Sequence, residues 1–119
     1  MPVSKTFEQV GVWQKAHDLV LLTYKMTTKF PREELFGLTS QLRRAIVSVP
    51  ANIAEGYIKR SRNDKARFYN IAEGSLEECR YYFILARDLG YADTTTHLQL
   101  LEEVSRMLRS YCQAMMNAR

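Results

Sequence analysis

An antiparallel, up-and-down bundle of four helices is the all-α fold class predicted for this chain of 119 residues. Three observations predict it. Apolar residues recur at helical spacing in four segments, helix-stopping residues separate those segments, and no alternating run of useful strand length occurs. Short connections between long helices favour antiparallel neighbours. One domain over residues 1–119 is expected, because a chain of this length buries about 65% of its unfolded surface and needs one core.

The first helix is expected from about Val12 to Lys29, with Val12, Ala16, Leu19, Thr23, Met26 and Phe30 on one stripe and Trp13, Val20 and Tyr24 beside it. Phe30-Pro31 ends it, since the residue before a proline is pushed out of the helical region. The second runs from about Leu38 to Tyr57 with Leu42, Ala45, Ile46, Val49 and Ile53 inward. It contains Pro50, which removes a backbone hydrogen bond and is expected to kink the helix.

The third starts after Ser61, which forms a capping-box-like pair with Asp64, and ends at Gly90, a residue suited to a left-handed stop. Tyr69, Ala72, Leu76, Cys79, Phe83 and Ala86 form one apolar stripe; Phe68, Ile71, Tyr82, Leu85 and Leu89 form a second. The fourth, about Thr94 to Ala118, repeats the doubling: Leu98, Leu101, Leu108, Cys112 and Met115 beside Leu100, Val104, Met107 and Tyr111. Faces this wide predict that one part packs in the bundle and another against a second copy, hence a homo-oligomer.

Composition narrows the function. An apolar fraction of 46% with three Pro and five Gly excludes a disordered chain. The longest strictly aliphatic run is Leu19 to Leu22, and the N-terminus lacks a signal-peptide core, so a cytoplasmic chain with no membrane partner is expected. Cys79 and Cys112 sit inside apolar helical patterns and read as reduced core residues.

No catalytic centre, metal site or cofactor is expected. A di-iron bundle needs Glu-x-x-His spacing, but Gln14 precedes His17 and Thr94 precedes His97. Both histidines read as surface or helix-end hydrogen-bonding residues. Gly-rich phosphate loops and nucleophile elbows are missing. Gly74 in mid-helix costs about 1 kcal/mol relative to Ala, and with Ser75 it is expected to admit close packing of a second helix at Ala54 and Gly56.

Charge supplies the functional clue. The net +4 equals the excess of Lys59, Arg60, Arg62, Lys65 and Arg67 over Asp64 at one connection, whereas residues 68–119 are net acidic. These cations crowd a helix N-terminus, where the dipole and free amides suit a phosphate, so the segment is the candidate nucleic-acid contact. Arg43 and Arg44 join it as candidates. Opposite charges at Glu55, Glu73, Glu77 and Glu78 leave open whether those two arginines pair within the bundle, pair between subunits or face an anion.

Gly37-Leu-Thr-Ser-Gln-Leu-Arg-Arg-Ala45, Ser48-Val-Pro-Ala-Asn-Ile-Ala-Glu-Gly56 and Glu73-Gly-Ser-Leu-Glu77 then carry a family resemblance. With Trp13-Gln-Lys-Ala-His17 and Leu85-Ala-Arg-Asp-Leu-Gly-Tyr91, nearly the whole chain resembles the four-helix-bundle proteins encoded in 23S rRNA intervening sequences. The resemblance implies a four-helix fold and a ring-shaped, pentameric homo-oligomer. It supplies no activity. Those proteins are in turn similar to accessory proteins of diversity-generating retroelements, basic rings that work with nucleic acid, so RNA or DNA is the expected partner. A scaffold that engages only protein partners is the alternative.

Overall fold

Four helices, α1 (Gly11–Thr27), α2 (Leu38–Ile58), α3 (Arg62–Asp88) and α4 (Thr95–Asn117), account for most of the chain. Single 3₁₀ turns at Phe7–Gln9 and Arg32–Glu34 precede α1 and α2. The computed structural model describes residues 6–118; the expected domain limits and most of the N-terminal stretch read for a signal peptide lie outside the described residues. Among the described residues there is no strand. No helix among them is long and apolar enough to cross a membrane.

Contacts between neighbouring helices pair residue numbers that rise on one helix and fall on the next. Ser48 meets Ser75 and Gly56 meets Tyr69 between α2 and α3; Arg80 meets Glu102 and Tyr69 meets Tyr111 between α3 and α4. Lys15 meets Glu103 and Gly11 meets Met107 between α1 and α4. The core is the stripe that the apolar period marks in the first three helices. Val12, Ala16, Leu19, Leu42, Ile46, Val49, Ile53, Tyr69, Leu76 and Phe83 are all buried, whereas Trp13 beside the first stripe is partly buried and Tyr24 is exposed.

Helix ends follow local chemistry. Thr27 and Thr28 turn their hydroxyls back to the carbonyls of Thr23 and Lys25, and α1 stops at Thr27, earlier than Lys29. Ser61 Oγ accepts from the Asp64 amide at 3.1 Å, while the Asp64 carboxylate turns to Arg67, so only half of a capping box forms. Gly90 has φ of +76°, and Tyr91 and Gly90 donate back to Ala86 and Arg87 at the end of α3. That is the pairing of a Schellman stop, and it needs the left-handed residue glycine supplies. α2 continues through buried Pro50, and Asn52 Nδ2 donates to the Ser48 carbonyl and hydroxyl there.

Two expectations about packing need correction. In α4 the second stripe turns inward: Val104 is fully buried, and Leu100, Met107 and Tyr111 pack against the core. On α3 the second stripe is split. Phe68, Tyr82 and Leu85 are partly covered, but Ile71 and Leu89 are 45% and 49% exposed, and Tyr81 beside them is 58% exposed. Gly74 lies on this open face with nothing within 4 Å of an added Cβ, so it admits no helix of its own chain. Gly56 alone makes the close approach. A Cβ there would lie 2.4 Å from the Tyr69 ring.

Candidate nucleic-acid interface

The connection between α2 and α3 is three residues, Lys59 to Ser61, and it rests on a close-packed floor. The bare backbone of Gly56 lets the Tyr69 ring lie close against α2, and Tyr69 meets Tyr111 of α4 edge-on, with centroids 5.4 Å apart. Burial raises the Tyr69 phenol far above its ordinary value. Its hydroxyl, despite the nearby Tyr111, makes no hydrogen bond of acceptable geometry among the described residues.

On this floor the five basic residues of the segment separate into distinct roles. Lys65 turns inward, and its ammonium donates to the carbonyls of Gly56 and Tyr57 at 3.1 and 2.7 Å. It thereby adds a donor to two carbonyls of the last turn of α2, of which that of Gly56 also accepts from the Lys59 amide. Partial burial lowers its pKa. Lys65 holds the connection together and is not placed as a free phosphate ligand.

Lys59 and Arg67 flank the Phe68 ring, at 5.1 and 4.9 Å from its centroid. Lys59 pairs loosely with Glu55 at 3.8 Å and Arg67 with Asp64 at 3.6 Å. Exposed pairs of this kind contribute at most about 1 kcal/mol, so an anion can displace them. Arg62 reaches the Met116 carbonyl of α4 at 3.5 Å, a long contact. Arg60 is exposed and forms no ion pair with the described residues.

Arg43 and Arg44 are elsewhere. Arg44 and Lys59 are fifteen positions apart along α2 and its cap, which is about 22 Å along the axis. Arg43 Nε donates to Thr27 Oγ1 at 2.8 Å, and its guanidinium lies 4.7 Å over the Tyr24 ring, tying α2 to α1. Arg44 is exposed beside Tyr82, whose hydroxyl donates to Glu78. That hydrogen bond raises the Tyr82 pKa, and the charge of Arg44 opposes the rise. Neither arginine is brought to the connection.

Arg106 and Arg109, which the local charge run does not flag, are exposed on α4. Arg106 lines a cavity of about 810 Å³ with Gly11, Tyr57 and Tyr111 at the connection end. Their signal in the sequence is the three-residue spacing on one helix face, masked by the acidic total of the second half of the chain. The carboxylates are partly committed: Arg80 holds Glu77 and Glu102 at 3.1 and 2.7 Å.

Among the described residues no group of three His, Cys, Asp or Glu side chains is arranged to hold a metal. Burial pushes the Cys79 thiol up to about 12 and the Cys112 thiol up to about 11, so neither supplies a thiolate at neutral pH. His17 stacks on Trp13 with centroids 5.1 Å apart. His97, expected at a surface or helix end, stands in the first turn of α4, buried against Phe83 with its Nε2 facing the Leu22 carbonyl at 3.4 Å.

The family profile described as 23S rRNA-intervening sequence protein matches residues 8–111. The fold is similar to a crystal structure from Bacteroides thetaiotaomicron VPI-5482, described as a protein with unknown function from the S23 ribosomal protein family. The TM-score is 0.77 at 23% sequence identity, with 86% of this chain and 95% of that one covered, a likeness that speaks to fold. No curated protein sequence matches the chain.

Proposed function

The chain belongs to the 23S rRNA-intervening sequence protein family, and from that premise we propose a non-enzymatic, ring-forming bundle that binds RNA or DNA phosphates at the connection between α2 and α3. One observation carries the reading. Arg60, Arg62 and Arg67 stand exposed above a close-packed floor around a helix N-terminus, with contacts weak enough for a phosphate to replace. Lys59 supports them, Lys65 positions them, and Arg106 and Arg109 extend the positive surface. Such contacts fix a nucleic-acid backbone without reading its bases. A cytoplasmic location suits that role.

Replacing Arg60, Arg62 and Arg67 with Gln is the test. Removing one phosphate-neutralising side chain flattens the slope of log affinity against log salt by about 0.7 to 0.9, so the triple variant is expected to have a slope shallower by about 2 to 3 per protomer engaged. Wild-type protein that binds neither RNA nor DNA at low salt ends the reading; an unchanged slope moves the site elsewhere. Ring formation, pentameric as the family resemblance implies, draws support from Ile71, Tyr81 and Leu89 around open Gly74 on α3. Ile71→Glu and Tyr81→Glu are expected to shift sedimentation toward a 13.9 kDa species with helix content retained. Assembly unchanged in both places the interface on another face.

A further inference from the structure

A second cavity, of about 390 Å³, lies at the opposite end of α1, between its last turns and the start of α4. Its size is within the range of small-ligand sites. Lys25 in the last turn of α1 and Lys29 just beyond its end stand on one side of it, are exposed and form no ion pair with the described residues. Met26 and Ala92 add apolar wall between and opposite them. The nearest carboxylate, Asp93, is engaged: it accepts from the Thr95 amide at 3.0 Å and hydroxyl at 2.7 Å. Tyr91 on the wall gives its hydroxyl to Glu34 at 2.9 Å.

His97 completes the wall and is the unexplained member. It is 9% exposed, its Nε2 faces the Leu22 carbonyl at 3.4 Å, and its buried Nδ1 has no hydrogen-bond partner among the described residues. A buried polar atom left without a partner costs about 1 to 3 kcal/mol. A negative charge in the cavity favours the protonated form of this ring, so the His97 signals report occupancy of the site. The positive end of the α4 dipole adds to the two ammonium groups.

We propose that this cavity binds a small organic anion, a carboxylate or phosphate head held by Lys25 and Lys29 with an apolar body against Met26 and Ala92. The site is separate from the arginines of the α2–α3 connection.

Titrating the intact protein with phenyl phosphate, benzoate and inorganic phosphate, followed by NMR of the Met26 methyl and His97 ring, tests it. At least one aromatic anion is expected to saturate both signals in the millimolar range and to bind about tenfold tighter than inorganic phosphate. The Lys25→Gln/Lys29→Gln variant is expected to lose about tenfold in that affinity, whereas the Gln triple variant at Arg60, Arg62 and Arg67 is expected to keep it. Which head binds better identifies the anion class. Three results overturn the site: no saturable shift with either aromatic anion, equal binding of inorganic phosphate, or undiminished binding in the double lysine variant. Both lysines are exposed, so retained helix content in that variant separates a binding defect from a folding defect.

Discussion

Arg43, near the start of α2, and Arg60, just beyond its end, are treated in opposite ways by the fold. At the N-terminal end of α2 Arg43 is tied to Thr27 and Tyr24, while nearby Glu34 accepts from the Leu38 amide and the Tyr91 hydroxyl. Beyond its C-terminal end the packing beneath the chain is tight, through Gly56, Tyr69 and Lys65, yet Arg60 is exposed with no ion pair among the described residues, and Arg62 and Arg67 are loosely held. One end uses its charge to join helices, and the other presents charge on a fixed support. Positive residues alone therefore do not mark a binding surface; what distinguishes them is whether the fold already supplies their partners.

The sharpest way to break this comparison is to disturb the support without touching an arginine. Gly56→Ala puts a methyl against the Tyr69 ring, and overpacking of this kind is expected to cost about 1 to 3 kcal/mol in denaturant unfolding. Gly74→Ala, on the open face of α3, is expected to gain up to about 1 kcal/mol by helix propensity. Equal effects at the two glycines would show that the Gly56 approach relaxes without cost.

Exchanging the ends at the level of single arginines comes next. Arg43→Gln removes a part-buried side-chain hydrogen bond and a ring contact, with an expected loss of about 1 to 2 kcal/mol. Arg60→Gln is expected to stay within about 0.5 kcal/mol of wild type. Nucleic-acid affinity, measured by anisotropy at low salt, is expected to reverse the order. An Arg60 variant that unfolds more readily than the Arg43 variant would invert the comparison.

Much of the fold is legible in the sequence because burial follows a period. The stripes from Val12 to Phe30 and from Tyr69 to Ala86 are the buried ones, and Gly90 adopts the left-handed backbone its position suggests. The site is less legible because it depends on which way a side chain turns. Lys65 and Arg67 are two residues apart in one charge run, yet one caps α2 and the other meets solvent. Gly74 and Gly56 carry the same composition signal, but only Gly56 faces a neighbouring helix. Arg106 and Arg109 fall in a half of the chain whose total charge is acidic, and that total conceals them; Val104 enters the core because α4 is also packed by α1. These distinctions arise from tertiary packing, which no spacing rule contains.

The smallest expected effect concerns the polar side chain that breaks the pattern near the other end of α3 and α4. Burial holds the pKa of His97 below its ordinary value of 6.5, against smaller opposing effects of the Leu22 carbonyl and Asp93. The unfolded chain therefore takes up a proton near pH 6.5, where the folded protein still resists it, and in that interval the unfolded state binds more protons. Stability accordingly rises with pH through the interval. The contribution is complete above pH 6.5 and is lost as pH falls from there to the folded value. Asp93 and Glu102 also have lowered values, from 3.8 and 4.5, each chiefly through a side-chain hydrogen bond, to Thr95 and Arg80. Their stabilisation is lost only at more acid pH, so the windows can be separated. Urea midpoints measured from pH 7.5 down to 3 are expected to fall for the wild type and to fall less for His97→Gln between pH 7 and 5, with the two proteins parallel again at the more acid pH where the carboxylates titrate. Identical slopes between pH 7 and 5 would mean that the buried ring is hydrated or already charged in the folded protein.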